Sequence, residues 1–171
     1  MSERTGVITF KGNGMTLLGD EVKVAADAPN VTLKGAGLKD VELSSFKGKP
    51  AIVISVPSLD TPVCDTEARR FAEEVGKLAD KAALVIVSMD LPMAQARWCG
   101  AAGIENAVCL SDYKDHSFGT AYGVRIKELG LLARAVWVVD KNGDVQYTQI
   151  VGEVTKEPNY DAALDALKKL V

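Results

Sequence analysis

The chain of 171 residues has a single histidine and only three cysteines, Cys64, Cys99 and Cys109. There is no Cys-x-x-Cys pair, so a structural zinc site lacks ligands. An odd number of widely spaced cysteines also excludes the disulfide framework of a small secreted domain. In a reducing compartment such cysteines are either small buried hydrophobes or reactive thiols. Positive charge is not in excess: 20 Lys and Arg face 23 Asp and Glu, a net charge of −3. That argues against nucleic acid or an anionic membrane as the main partner. Long apolar runs are missing too. The longest, Ala82 to Val87, is far too short to cross a bilayer. Residues Met1 to Phe10 include Glu3, Arg4 and Thr5 and lack the apolar centre of a secretory leader, so a cytoplasmic protein is expected. No repeat, low-complexity stretch or linker divides the chain. A single domain over residues 1–171 is therefore expected, long enough to bury a core without disulfide staples.

The apolar fraction of 47% and charged fraction of 25% are those of a globular domain. Val7 to Leu18 reads as a hairpin turning at Gly12-Asn13-Gly14. Val31 to Leu33 predicts a short strand, and Leu43 to Lys49 a turn or helical piece. Ala51 to Val56 and Ala83 to Ser88 are continuous apolar runs, as in strands covered on both faces. Between them, Ala68, Phe71, Ala72, Val75 and Leu78 recur at helical spacing within Pro62 to Leu78. A helix over Pro92 to Ala101, a strand over Ala107 to Leu110 and a helix over Ser117 to Tyr122 follow. Strands Ala135 to Asp140 and Val145 to Val151 flank the turn signal Asn142-Gly143, and Asn159 to Leu170 closes the chain as a helix. Alternating strands and helices give an α/β protein. The expected architecture is a thioredoxin-like fold: a mixed central sheet of about five strands flanked by helices, with an N-terminal β-hairpin.

Cys64 stands where a buried strand gives way to a helix. Thr61 suits the N-cap and Pro62 the first helical position, which puts Cys64 at N3 among free backbone N–H groups. The helix dipole favours an anion there, so a thiolate is stabilised. Thr61-x-x-Cys64 also copies the spacing of a capping box, with sulfur in place of the carboxylate. The Thr61 hydroxyl is then placed to donate to that sulfur or to a substrate oxygen beside it. Asp60, Asp65 and Glu67 surround the position with negative charge, so a cation is required. On these local features alone, Cys64 is equally a small buried residue behind a helix start.

Pro57-x-x-x-Thr61-x-x-Cys64 resembles the peroxidatic-cysteine signature of the peroxiredoxins. The segment Ser88-Met-Asp-Leu-Pro-Met-Ala-Gln-Ala-Arg-Trp-Cys99-Gly is similar to the one that carries the resolving cysteine in bacterial thiol peroxidases of the atypical two-cysteine kind. Ala133-Arg134-Ala135 resembles the segment that supplies their active-site arginine; Gly123-Val124, Glu157-Pro158-Asn159-Tyr160 and the N-terminal hairpin also match. The resemblance covers nearly the whole chain. It implies Cys64 as the peroxidatic cysteine and Cys99 as the resolving one, assisted by Thr61 and Arg134, with Pro57 shielding the pocket. Arg134 then supplies the required cation; without the resemblance it reads as a solvated charge. The resemblance departs in two places. Ile86 stands where many relatives carry a cysteine, and the loop Arg125 to Leu132 is shorter. Cys109 lies in a different strand and is read as a structural core thiol.

The resemblance further implies the reduction of hydrogen peroxide and organic hydroperoxides. Cys64 becomes a sulfenic acid, Cys99 closes an intramolecular disulfide, and a thioredoxin-type dithiol recycles both. It also implies a homodimer. No metal, flavin or haem is called for, because the thiol performs the chemistry. Two residues in separate helices cannot bond while both helices stay intact, so local unwinding is expected around one or both, with Trp98 as its reporter. His116, at a helix start, reads as solvated or capping. A general thiol–disulfide oxidoreductase on the same fold and a binding domain with inert cysteines remain the competing readings.

Overall fold

A computed structural model describes residues 1–171. The N-terminal hairpin pairs β1 (Glu3–Phe10) with β2 (Asn13–Leu18). The turn is Lys11-Gly12, one step earlier than the Gly-Asn-Gly signal suggested, and both residues have positive φ, 50° and 81°. A two-residue turn of that kind matches the twist of the strands it joins. After β3 (Thr32–Lys34) and β4 (Asp40–Glu42) come the central units. These are β5 (Ala51–Ser55), α1 (Pro62–Gly76), β6 (Ala83–Ser88), α2 (Pro92–Ala102) and β7 (Ala107–Ser111). Then follow α3 (Ser117–Ala121), β8 (Arg125–Ile126), β9 (Ala135–Val139), β10 (Val145–Ile150) and α4 (Tyr160–Lys168).

The main sheet has seven strands in the order β10-β9-β5-β6-β7-β3-β4, two more than the sequence suggested. The helical crossovers make β5, β6 and β7 parallel, whereas β9, β10, β3 and β4 add to the edges in antiparallel fashion. Strand β4 was not foreseen, because three residues carry no readable alternation. Strand β8 escaped for the same reason; its two residues pair with β2 to make a second, three-stranded sheet.

Alternation along the central strands builds two cores. Ile52, Ile54, Leu84, Ile86, Val136 and Val138 face α1 and α4. Val53, Val85, Val87 and Trp137 face α3 and the hairpin sheet. On this second side Phe118 stacks on Tyr122 at 4.2 Å, and Trp137 stands edge-on to both. Each large apolar side chain fully buried in this way contributes about 1.5–3 kcal/mol. The hairpin closes tightly on α3 only because Gly19 has no side chain. Its φ is 94°, and a Cβ there would lie 2.0 Å from the Thr120 carbonyl oxygen. At its other end, Thr9 donates its N–H to Gly152 O at 2.8 Å, and Val154 donates to Thr9 O at 2.9 Å. The hairpin thereby holds the loop that follows β10. No helix is long and apolar enough to cross a membrane.

Candidate active site

The chain leaves β5 through Val56 and buried Pro57. Asp90, just past β6, pins the loop that follows: its carboxylate accepts from Ser58 Oγ at 2.7 Å and from the Leu59 N–H at 2.8 Å. Nothing along the chain signals that role. Thr61 takes the N-cap position with extended φ and ψ, Pro62 the first turn, and Cys64 falls at N3 with no exposed surface. The Thr61 hydroxyl departs from expectation. It neither caps the helix nor reaches the sulfur, but donates to the Ser58 carbonyl at 2.8 Å. The hydroxyl has one proton, and the tight turn Ser58–Thr61 takes it. A cavity of about 420 Å³ opens beside this first turn, lined by Pro62, Val63, Thr66, Thr155, Lys156 and Glu157.

Arg134 reaches Cys64 from the end of the loop before β9. Its Nη1 lies 3.3 Å from Cys64 Sγ and 2.6 Å from Glu67 Oε2. Its Nε and Nη2 both donate to the Val154 carbonyl, at 3.1 and 2.9 Å. Arg134 is 2% exposed, so its charge is buried and its direction fixed. Burial works against its ionised form, but the facing Glu67 and Cys64 outweigh that and raise it above its ordinary value. Along the chain Glu67, one turn after Cys64, reads only as unfavourable charge. Instead it is fully buried, and its Oε1 has no partner. Burial pushes its carboxyl up to about 7, against the pull of Arg134. The available signal was the three-residue spacing Cys64-x-x-Glu67, which puts both side chains on one helix face.

Cys99 lies in the last turn of α2 and is half-buried. Its sulfur is not hydrogen-bonded to Cys64. It lies 2.9 Å from Cys109 Sγ, and both thiols are free. Cys109 packs against the core without being enclosed by it: it is half-buried in β7, on the side of the sheet that α2 covers. Gln95 fastens α2 to the sheet, donating to Ser88 Oγ at 3.0 Å and to the Leu110 carbonyl at 2.9 Å. Trp98 spans the two cysteine helices, its Nε1 donating to Asp65 Oδ1 at 2.8 Å. Away from the site, His116 occupies the N-cap position of α3, but its side chain does not cap. Asp112 does so, accepting from the N–H groups of Phe118 and Gly119 at 2.9 and 2.8 Å.

A thioredoxin-like sheet that presents a thiol on the first turn of α1, beneath a buried guanidinium, defines a redoxin. Residues 23–164 match that family, and the chain belongs to it. Its place within the family is with the thiol peroxidases. The thiol peroxidase of Bacillus subtilis is 52% identical over 164 residues, 96% of this chain and 98% of that protein. A peroxiredoxin-like protein from Aquifex aeolicus superposes with a TM-score of 0.89 at 40% identity, over 98% of each chain. The thiol peroxidase from Chromobacterium violaceum shares the fold, with a TM-score of 0.86 at 20% identity over 95% of each chain.

Proposed function

We propose that this thiol peroxidase reduces hydrogen peroxide and organic hydroperoxides with Cys64 as nucleophile and Cys99 as resolving thiol. The observation that carries the reading is the 3.3 Å contact between Arg134 and the Cys64 sulfur. The sulfur attacks one peroxide oxygen, the O–O bond breaks, and the departing oxygen leaves as water or alcohol once it takes a proton from solvent. Negative charge passes along the S–O–O line during this step. A guanidinium already aimed there stabilises it without reorganising. Thr61, its proton held by Ser58, has lone pairs left to accept from the peroxide O–H. Pro57 walls the pocket from solvent. Cys64 is left as a sulfenic acid; Cys99 attacks its sulfur, water leaves, and a disulfide joins the two. A thioredoxin-type dithiol then restores both thiols by exchange.

In this reading one domain of residues 1–171 carries the whole reaction and works as a homodimer. A cytoplasm, where thiols are kept reduced, is the compartment that suits it. The resting geometry makes the second step conformational. Cys64 is closed in, and Cys99 is engaged with Cys109 at the far end of α2. One or both helices loosen locally before the two sulfurs meet.

The test is to mix reduced protein with one equivalent of hydroperoxide and count free thiols. Wild type loses two thiols rapidly, Cys99→Ser stops at a trappable sulfenic acid, and Cys64→Ser does not react. A Cys64→Ser protein that consumed peroxide as fast as wild type would remove Cys64 from the role of nucleophile.

A further inference from the structure

The peroxidase reading uses two of the three cysteines and leaves Cys109 idle, yet Cys109 has the closest sulfur neighbour in the molecule. Its Sγ lies 2.9 Å from Cys99 Sγ, against about 2.05 Å in a disulfide. The two thiols come from elements that pack directly on each other: Cys99 from the last turn of α2, Cys109 from β7 beneath it. They line a shared cavity of about 250 Å³ with Ala36, Pro92, Ala96 and Val108, and Val108 is exposed. The pair is therefore open to thiol chemistry from outside, unlike Cys64.

We propose that Cys99 and Cys109 form a second redox-active dithiol that takes over the oxidising equivalent from Cys64. The proposal rests on the peroxidase reading above. In the first step Cys99 resolves the Cys64 sulfenic acid, giving a Cys64–Cys99 disulfide and water. In the second step the Cys109 sulfur attacks the Cys99 sulfur of that disulfide. The Cys99–Cys109 bond forms, the Cys64–Cys99 bond breaks, Cys64 leaves as a thiolate, and the Cys109 proton passes to solvent. Two electrons have moved from the Cys99–Cys109 dithiol to the peroxide, and Cys64 is reduced again.

Three observations set the direction of the exchange. The Cys64–Cys99 bond requires both sulfurs to leave their present partners, whereas the Cys99–Cys109 bond is made with α2 back in place on β7. The leaving sulfur, Cys64, returns to the buried Arg134 charge, 3.3 Å away. The third concerns the proton. Either thiol can donate in the hydrogen bond between them; with Cys109 as donor, this bond holds the Cys99 thiol below its ordinary pKa and, together with burial, pushes Cys109 up. Cys99 is thus the readier nucleophile at first. Once Cys99 is bound in a disulfide, the acceptor and negative charge that held the Cys109 proton are gone, and Cys109 becomes the attacking thiol. The order of the two steps is built into the pair.

The experiment is disulfide mapping by mass spectrometry after the full-length reduced protein is titrated with hydrogen peroxide and quenched with an alkylating agent. Wild type should show a Cys99–Cys109 disulfide with Cys64 alkylated after one equivalent, and should consume a second equivalent that leaves Cys64 as a dimedone-trappable sulfenic acid. Cys109→Ala should consume one equivalent and stop at Cys64–Cys99. The mapping of wild type needs no variant, so a folding defect in Cys109→Ala does not obscure it. A wild type that consumes one equivalent and holds Cys64–Cys99, with Cys109 alkylated, overturns the transfer and leaves the peroxidase reading standing. Fast peroxide consumption by Cys64→Ser removes Cys64 as the nucleophile and so overturns the reading on which the transfer rests.

Discussion

Arg134 Nη1 is shared between two acidic partners, Cys64 Sγ at 3.3 Å and Glu67 Oε2 at 2.6 Å, while the rest of the guanidinium is spent on one carbonyl, that of Val154. One planar cation thus joins the nucleophile, a buried carboxyl and the loop after β10. Lysine has no such fork, so the substitution Arg134→Lys is not conservative here.

The first prediction concerns that fork. Arg134→Met should lower the second-order rate of peroxide attack by about 10²–10³-fold, the usual effect of losing one charge-stabilising donor. It should also destabilise the fold by about 3–5 kcal/mol, because Glu67 is left buried and unpaired. Adding Glu67→Gln should recover much of the stability and none of the rate. Stopped-flow kinetics beside urea unfolding separates the two effects; full recovery of both would mean that Arg134 acts only as a structural partner of Glu67.

Glu67 makes stability depend on pH. Its carboxyl is raised from the ordinary 4.5 to about 7, chiefly by burial, so between those values the folded protein binds more protons than the unfolded chain. Stability must then fall as pH rises from about 4.5 to about 7, by roughly 3 kcal/mol from this group. Glu67→Gln should remove that decline. Urea midpoints for both proteins at pH 5 and pH 8 check it: an equal change in the two would show that Glu67 does not titrate in this range.

Trp98 is bonded to Asp65, the residue after Cys64, and itself precedes Cys99. Loosening α2 to release Cys99 must break that bond. Tryptophan emission should therefore change when wild type is oxidised and stay constant in Cys99→Ser. Trp137, the other tryptophan, is 1% exposed in the core between Phe118 and Tyr122 and should be silent. Trp98→Phe should abolish the signal without slowing thiol loss more than a few-fold.

The hairpin supports the site at a distance. Glu153 accepts from Thr9 Oγ1 and the Gly12 N–H, both at 2.9 Å, and its other oxygen accepts from Thr155. These bonds fix the loop that carries Val154, the carbonyl that aims Arg134. They also hold the Glu153 carboxyl well below the ordinary carboxylate range. Its contribution to stability is therefore complete above the ordinary carboxylate pKa and is lost as pH falls below it. Glu153→Gln should unfold at a higher pH than wild type on acidification and react with peroxide a few-fold more slowly at neutral pH. An unchanged acid midpoint would detach the hairpin from the loop.

Much of this protein could be read along the chain. The unbroken apolar runs of β5 and β6 and the helical spacing of α1 placed those elements within a residue or two. Thr61-Pro62 put Cys64 at N3, where it is found. Such features depend on neighbours a few residues away, and propensity and periodicity record them. The hairpin turn moved by one step, and β4 and β8 went unseen, because strands of three and two residues exist only through the partners they pair with.

The site divides along the same line. Sequence supplied Cys64, Thr61 and Pro57 from one continuous segment and called for a cation, and only the family resemblance pointed to Arg134 as that cation. Only tertiary structure brings Arg134 across 70 residues to that sulfur, because β9 runs antiparallel beside β5 and its first residue, Ala135, pairs with Ser55 at the end of β5 that leads to α1. Only tertiary structure turns Glu67 from an unwanted charge into the buried partner of that arginine. Cys109 shows the limit most plainly. As one residue in a short strand it reads as core, and it becomes a thiol with a partner only where α2 folds down onto β7.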